Sequence, residues 1–121
     1  MKVLNLTKNT VCVRHLQKAQ SFSDRLTGMI GKDFSHFDGM LFDRCNAVHT
    51  FFMKIPLDIL FVSREGEVLK RVENFPPWKP FCGCKNSFYV IELEGGSLTR
   101  SGTEEGDQLS FGNGTENGST L

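Results

Sequence analysis

The chain has 121 residues, with Lys+Arg 14 against Asp+Glu 14, four cysteines and 39% apolar residues. That is room for one ordinary domain and not for two. Zero formal charge argues against a face built to follow phosphates, because non-specific nucleic-acid affinity comes mainly from lysines and arginines displacing counterions. No run approaches the roughly 18 uninterrupted apolar residues of a membrane span. The start, Met1-Lys2-Val3-Leu4-Asn5-Leu6-Thr7-Lys8, lacks the apolar core of a signal peptide. A soluble cytoplasmic protein without nucleic-acid or membrane partners is expected. Eleven Phe against one Tyr and one Trp is an aromatic load without polar handles, which suits a core or a pocket.

Val3-Leu4-Asn5-Leu6 and Val11-Cys12-Val13, separated by the polar Thr7-Lys8-Asn9-Thr10, read as a β-hairpin. Ser21 opens a capping-box-like Ser21-Phe22-Ser23-Asp24. Phe22, Leu26, Met29 and Ile30 then recur at helical spacing until Gly31, which predicts a short amphipathic helix near 22–30. From Gly39 the pattern turns to strands: Met40–Phe42, Val48–Met53, Leu57–Val62 and Val68–Val72, with a hairpin turn at Arg64-Glu65-Gly66-Glu67. Pro76-Pro77-Trp78-Lys79-Pro80 has too few N–H groups for a central ladder and must be an edge or an irregular crossing. Phe88–Leu93 and Gln108–Phe111 are further strands joined by a Gly- and Glu-rich loop. Roughly seven short strands with one helix give a mainly β (α+β) fold, a compact and mostly antiparallel barrel or sandwich. Residues 1–111 form the domain, and the polar segment 112–121 is expected to be a disordered tail.

Six short motifs occur in order: Arg25-Leu26-Thr27-Gly28-Met29, Gly39-Met40-Leu41-Phe42, His49-Thr50-Phe51-Phe52-Met53, Pro56-Leu57-Asp58-Ile59-Leu60-Phe61, Glu92-Leu93-Glu94-Gly95-Gly96 and Gly106-Asp107. On these residues the chain resembles the small prokaryotic domain-of-unknown-function family 192, in its His-Thr-Phe-x-Met branch. The resemblance implies a small β-rich, barrel-like domain with a short helix, and no settled activity. The commoner branch has Trp-Met-Lys-Asn-Thr ahead of the Pro-Leu-Asp segment, where here Phe52-Met53-Lys54-Ile55 runs directly into Pro56.

Asp58 is the most informative single residue. Its strand is apolar on both faces, so the carboxylate is expected to be buried and to need a cationic or N–H partner, with Arg25, His49 and Lys54 as candidates. It reads either as a general acid or base at a pocket or, more commonly, as a structural ion pair or turn cap. Glu92 repeats the theme beside Gly95-Gly96, which would let the backbone approach something closely. Arg25, His49, Asp58 and Glu92 together would form an interior polar cluster, serving a small ligand or satisfied within the core. No phosphate-cradling glycine loop is present, since Gly95-Gly96 lacks both a Lys-Ser/Thr and a following helix. His15 and His36 read as surface residues.

Cys45, His49, Cys82 and Cys84 are a Cys3His set with the right chemistry for Zn2+, but Cys-x-Cys is tighter than the usual knuckle. Inert buried thiols are the plainer reading, and no other cofactor is implied. Pro77 and Trp78 form a candidate surface patch for a lid or partner. The alternative, favoured because a large aromatic is usually mostly buried, is a Trp folded back as a plug over one end of the fold. The function read from the sequence is a small binding or accessory domain with an interior polar cluster. Its partner would be a small molecule or a protein, neither of which the sequence names. The alternatives are a hydrolase using Asp58 and His49 as acid and base, or a Cys/His zinc-binding domain.

Overall fold

The computed structural model describes residues 1–19, 37–48, 55–79 and 82–112. The predicted helix at 22–30, Arg25, His36, His49 and the tail beyond Gly112 lie outside these residues.

Ten strands and one helix are present among the described residues. Lys2–Asn5 (β1) and Thr10–Val13 (β2) form the expected hairpin, and β1 pairs on its other side with Leu109–Gly112 (β10), giving a three-stranded antiparallel sheet. The second sheet has five strands in the order Leu16–Lys18 (β3), Gly39–Asp43 (β4), Tyr89–Glu94 (β9), Leu57–Val62 (β6) and Val68–Phe75 (β7), antiparallel except for β3 against β4. Ala47–Val48 (β5) and Cys82–Gly83 (β8) make a separate two-stranded ribbon.

Alternation of side chains along the central strands explains the layering. Leu60 and Val62 of β6, Ile91 and Leu93 of β9 and Leu41 of β4 face the three-stranded sheet, where Val3, Cys12, Val13, Leu109 and Phe111 close a first core. Leu57, Ile59 and Phe61 of β6, Val90 of β9 and Met40 and Phe42 of β4 point the other way, into a second core shared with Cys82 and flanked by Phe37, Cys45, Val48, Ile55, Phe75 and Cys84. The five-stranded sheet is therefore covered on both faces, and all six residues of β6 are buried. At one edge the sheets meet through Val68 N–H to Asp107 C=O at 2.9 Å, Gly106 N–H to Val68 C=O at 2.9 Å and Leu109 N–H to Gly66 C=O at 2.9 Å. Among the described residues that edge carries the isolated antiparallel bridge Glu67–Gln108 and no ladder, so of the two expected architectures the fold is the sandwich and not a closed barrel.

Three elements differ from the sequence reading. β3 and β8 are two or three residues long and too brief to leave a hydrophobic period. The loop expected between β9 and β10 contains a five-residue helix, Ser97–Ser101 (α1). The predicted turn at 64–67 is present, and Gly66 there has φ 94, a conformation that L side chains rarely adopt. A Cβ on Gly66 would lie 2.7 Å from the Leu109 carbonyl oxygen, a backbone atom fixed by the sheet junction. Gly66→Ala is expected to cost about 2 kcal/mol or more, measured as a lower urea midpoint at unchanged slope.

Candidate functional site

Asp58 is 0% exposed and its donors are neither arginine nor lysine. Oδ1 accepts from the Asn74 backbone N–H at 2.9 Å and Oδ2 from the Leu98 backbone N–H at 2.9 Å. Both donors are groups the local chain leaves over. Asn74 sits near the end of β7 with φ 49. Leu98 lies in the first turn of α1, whose N-cap, Gly96, has no side chain to offer. The cap thus comes from a residue 40 positions away in sequence. The same junction brings Gly95 against β7, where a Cβ would meet Asn74 Oδ1 at 2.6 Å, so the expected close approach at Gly95 is real. A helix does follow Gly95-Gly96, contrary to the sequence reading, but Asp58 already takes the N–H of Leu98.

Glu92 is also buried, at 3% exposure, yet it does not join Asp58. Glu92 lies opposite Met40 of β4 and Ile59 of β6, whereas Asp58 lies opposite Leu93. Cross-strand partners share a face, so Asp58 belongs to the first core and Glu92 to the second. The proposed single cluster of Arg25, His49, Asp58 and Glu92 is corrected to this extent: the sheet itself separates the two carboxylates. Arg25 and His49 fall outside the described residues. His15 is exposed, and Asp38 accepts from the backbone N–H groups of Arg14 at 3.0 Å and His15 at 2.6 Å, holding the corner where the chain passes from β2 to β3.

Cys45, Cys82 and Cys84 all pack on the second core, at the β5–β8 ribbon and its flanks. None of the four cysteines is in a disulfide. Cys45 Sγ donates to the Ala47 carbonyl at 3.3 Å. Burial pushes the Cys82 thiol up, against the opposing pull of the Lys70 ammonium, and burial likewise raises Cys12 in the first core. Among the described residues no three His, Cys, Asp or Glu side chains are grouped to hold a metal ion, and His49 lies outside them.

A polar cluster that the sequence reading missed ties the ends of the three-stranded sheet together. The Asn5 amide, 1% exposed, donates to Thr103 Oγ1 at 3.1 Å and Asp107 Oδ2 at 2.8 Å. The Lys8 ammonium lies 2.8 Å from Asp107 Oδ1 and 3.0 Å from Glu104 Oε1, and the Glu104 N–H donates to Asp107 Oδ2 at 3.1 Å. Burial acts to raise the Asp107 carboxyl, but the Asn5 amide, the Lys8 ammonium and the Glu104 N–H together hold it below the usual carboxylate value. The one available signal was Gly106-Asp107 itself, whose partners lie 102 and 99 positions away.

Trp78 is 58% exposed, so it is not the plug favoured from sequence. It stands at φ 64, the left-handed region, which is an outlier for so bulky a residue. Pro76-Pro77 ahead of it fixes the backbone on one side.

This two-core β sandwich, with its internal aspartate clamps, defines the class of the protein as a small β-rich domain. The chain belongs to the domain-of-unknown-function family 192, described as "Uncharacterized ACR", whose model matches residues 4–111. The sequence matches no curated protein. Among solved structures it is similar to a protein of unknown function from Novosphingobium aromaticivorans DSM 12444, with 23% identity and a TM-score of 0.78 over 92% of this chain and 84% of that one. It is also similar to a candidate transcription regulator from Sinorhizobium meliloti 1021, with 25% identity and a TM-score of 0.75 over 90% and 89% of the two chains. No helix among the described residues is long and apolar enough to cross a membrane.

Two outcomes follow from the clamps. Asp58→Asn turns one acceptor into a donor facing a backbone N–H, and should lower stability by about 2 kcal/mol in urea unfolding; a variant as stable as the parent would mean that Asp58 does not hold the fold. Asp107 has a folded pKa below its unfolded one, so its contribution is complete above about pH 4 and is lost as pH falls through the folded value. The stability difference between the parent and Asp107→Asn should therefore shrink on acidification below about pH 4 and stay flat from there to neutrality.

Proposed function

We propose that this chain is a partner-binding domain that docks a protein through the Pro77-Trp78 surface, and that Asp58 is not its acid or base. The observation carrying the reading is a large aromatic, 58% exposed, held at φ 64 on a proline-stiffened segment. A left-handed conformation costs a residue with a Cβ about 1–2 kcal/mol, and such strain is retained where a site needs a particular presentation. The exposed part of the indole offers a partner rigid, largely apolar surface, and tryptophan is enriched among interface anchors.

The hydrolase alternative loses its central group, because both Asp58 oxygens are occupied by backbone N–H groups at full burial. An acid or base must reach the proton it moves. Zero formal charge favours a protein over a nucleic acid as the partner, whatever role the Sinorhizobium relative has. Four cysteines outside any disulfide suit a reducing compartment, the cytoplasm.

Trp78 is the sole tryptophan, so its emission reports on this surface alone. A protein recovered from the source cells on immobilised parent chain should, once purified, blue-shift that emission on titration. Trp78→Ala should weaken its binding by at least about thirtyfold, corresponding to a hot-spot loss of 2 kcal/mol, while Trp78→Phe retains most of it. Stability of Trp78→Ala should stay within about 1 kcal/mol of the parent. Equal binding by the parent and Trp78→Ala would remove the proposal.

A further inference from the structure

We propose that Cys82 and Cys84 are a redox dithiol that a peroxide converts to an intrachain disulfide. β8 pairs antiparallel with β5, Val48 opposite Cys82 and Ala47 opposite Gly83. The Cys84 N–H to Asn46 C=O bond at 2.8 Å extends that pairing by one residue. Cys82-Gly83-Cys84 is thus extended, and alternation places both thiols on one face, the face against the second core, where Cys82 is buried and Cys84 half-buried. Two residues of extended chain separate the Cα atoms by about 6.6 Å, inside the span of about 4.4–6.8 Å that a disulfide bridges. The residue between them is glycine, which lets the strand contract.

The neighbours divide the roles. The Lys70 ammonium donates to the Gly83 carbonyl at 2.9 Å, beside the peptide linking the two cysteines, and burial holds the Cys82 thiol up against the pull of that charge, which suits Cys82 to the second, resolving step. Cys84, the more exposed, is the thiol an oxidant reaches first. Its thiolate attacks one peroxide oxygen, the O–O bond breaks, and the other oxygen leaves as alcohol or water, giving a sulfenic acid on Cys84. The Cys82 sulfur then attacks that sulfur; the S–O bond breaks, and hydroxide leaves as water with the thiol proton. In sum two thiols and one organic peroxide give one disulfide, one alcohol and one water, and with hydrogen peroxide one disulfide and two waters. Cys12 lies in the other core, and Cys45 Sγ is turned to the Ala47 carbonyl.

The sequence makes the products separable. Trypsin cuts after Arg71 and Lys85 and is blocked at Lys79 by Pro80, so Cys82 and Cys84 share the peptide Val72–Lys85, whereas Cys45 opens the peptide after Arg44. Reduced full-length chain is exposed to hydrogen peroxide in small excess, alkylated, digested and weighed. The expected product is Val72–Lys85 lighter by two hydrogens and closed to alkylation, forming at least about tenfold faster than Cys12 or Cys45 is oxidised. In Cys82→Ser the sulfenic acid should persist on Cys84 and be trapped by dimedone, and in Cys84→Ser residue Cys82 should stay reduced. Linkage of Val72–Lys85 to the Cys45 peptide, sulfinic acid without a disulfide in the parent, or unchanged thiols would each overturn the proposal.

Discussion

A carboxylate inside a strand that is buried from end to end sets the terms for everything around it. Every side chain of Leu57–Val62 is withdrawn from water, so Asp58 cannot be hydrated, and an unsatisfied charge there would cost several kcal/mol. The donors it finds are main-chain groups, one from β7 and one from α1. That choice fixes where the five-residue helix can sit although its cap position, a glycine at φ 95, has no side chain to offer, and it draws β7 and the β9–α1 turn close at Gly95. A helix this short has no stability of its own; it exists because a distant aspartate satisfies its first turn and because Leu98 enters the first core.

The same device recurs at other joints. Asp38 holds two successive N–H groups where the chain passes from one sheet to the other, and Asp107 gathers an amide, an ammonium and an N–H where β1 meets the segment ahead of β10. Each lies where regular pairing stops and donors are left over. Three short aspartates therefore do what longer loops or added strands would do in a larger domain, and the acidic groups are consumed in architecture.

Much of the sheet was legible because its signals are local. Leu57–Val62 is a six-residue β-rich run and is a strand over that range; the β1–β2 hairpin and the Gly66 turn follow from turn composition. The need for a partner at Asp58 was also legible, since it follows from burial alone. Which partner was not, because main-chain donors 16 and 40 positions away leave no trace in residue types. The assumed meeting of Asp58 and Glu92 failed for a related reason. Strand patterns show which residues alternate but not the register between strands, and a one-residue offset moves a side chain to the opposite face. Trp78 misled because average burial of tryptophan says nothing about one held by prolines in a left-handed backbone.

The central place of β1 in its sheet has a consequence for how the molecule comes into being. One neighbour, β2, follows β1 within a few residues, but the other, β10, lies at the far end of the domain; the Asn5–Asp107 contact spans 102 positions. During synthesis β1 must wait with an open edge until nearly the whole domain has emerged, and the first core cannot close before then. Folding of such a chain is governed by its last strand, not its first, and contacts of this separation make the search slow. Exposed edges of this kind are also where newly made chains pair with one another, so the interval before β10 arrives is when this protein is most open to misassembly.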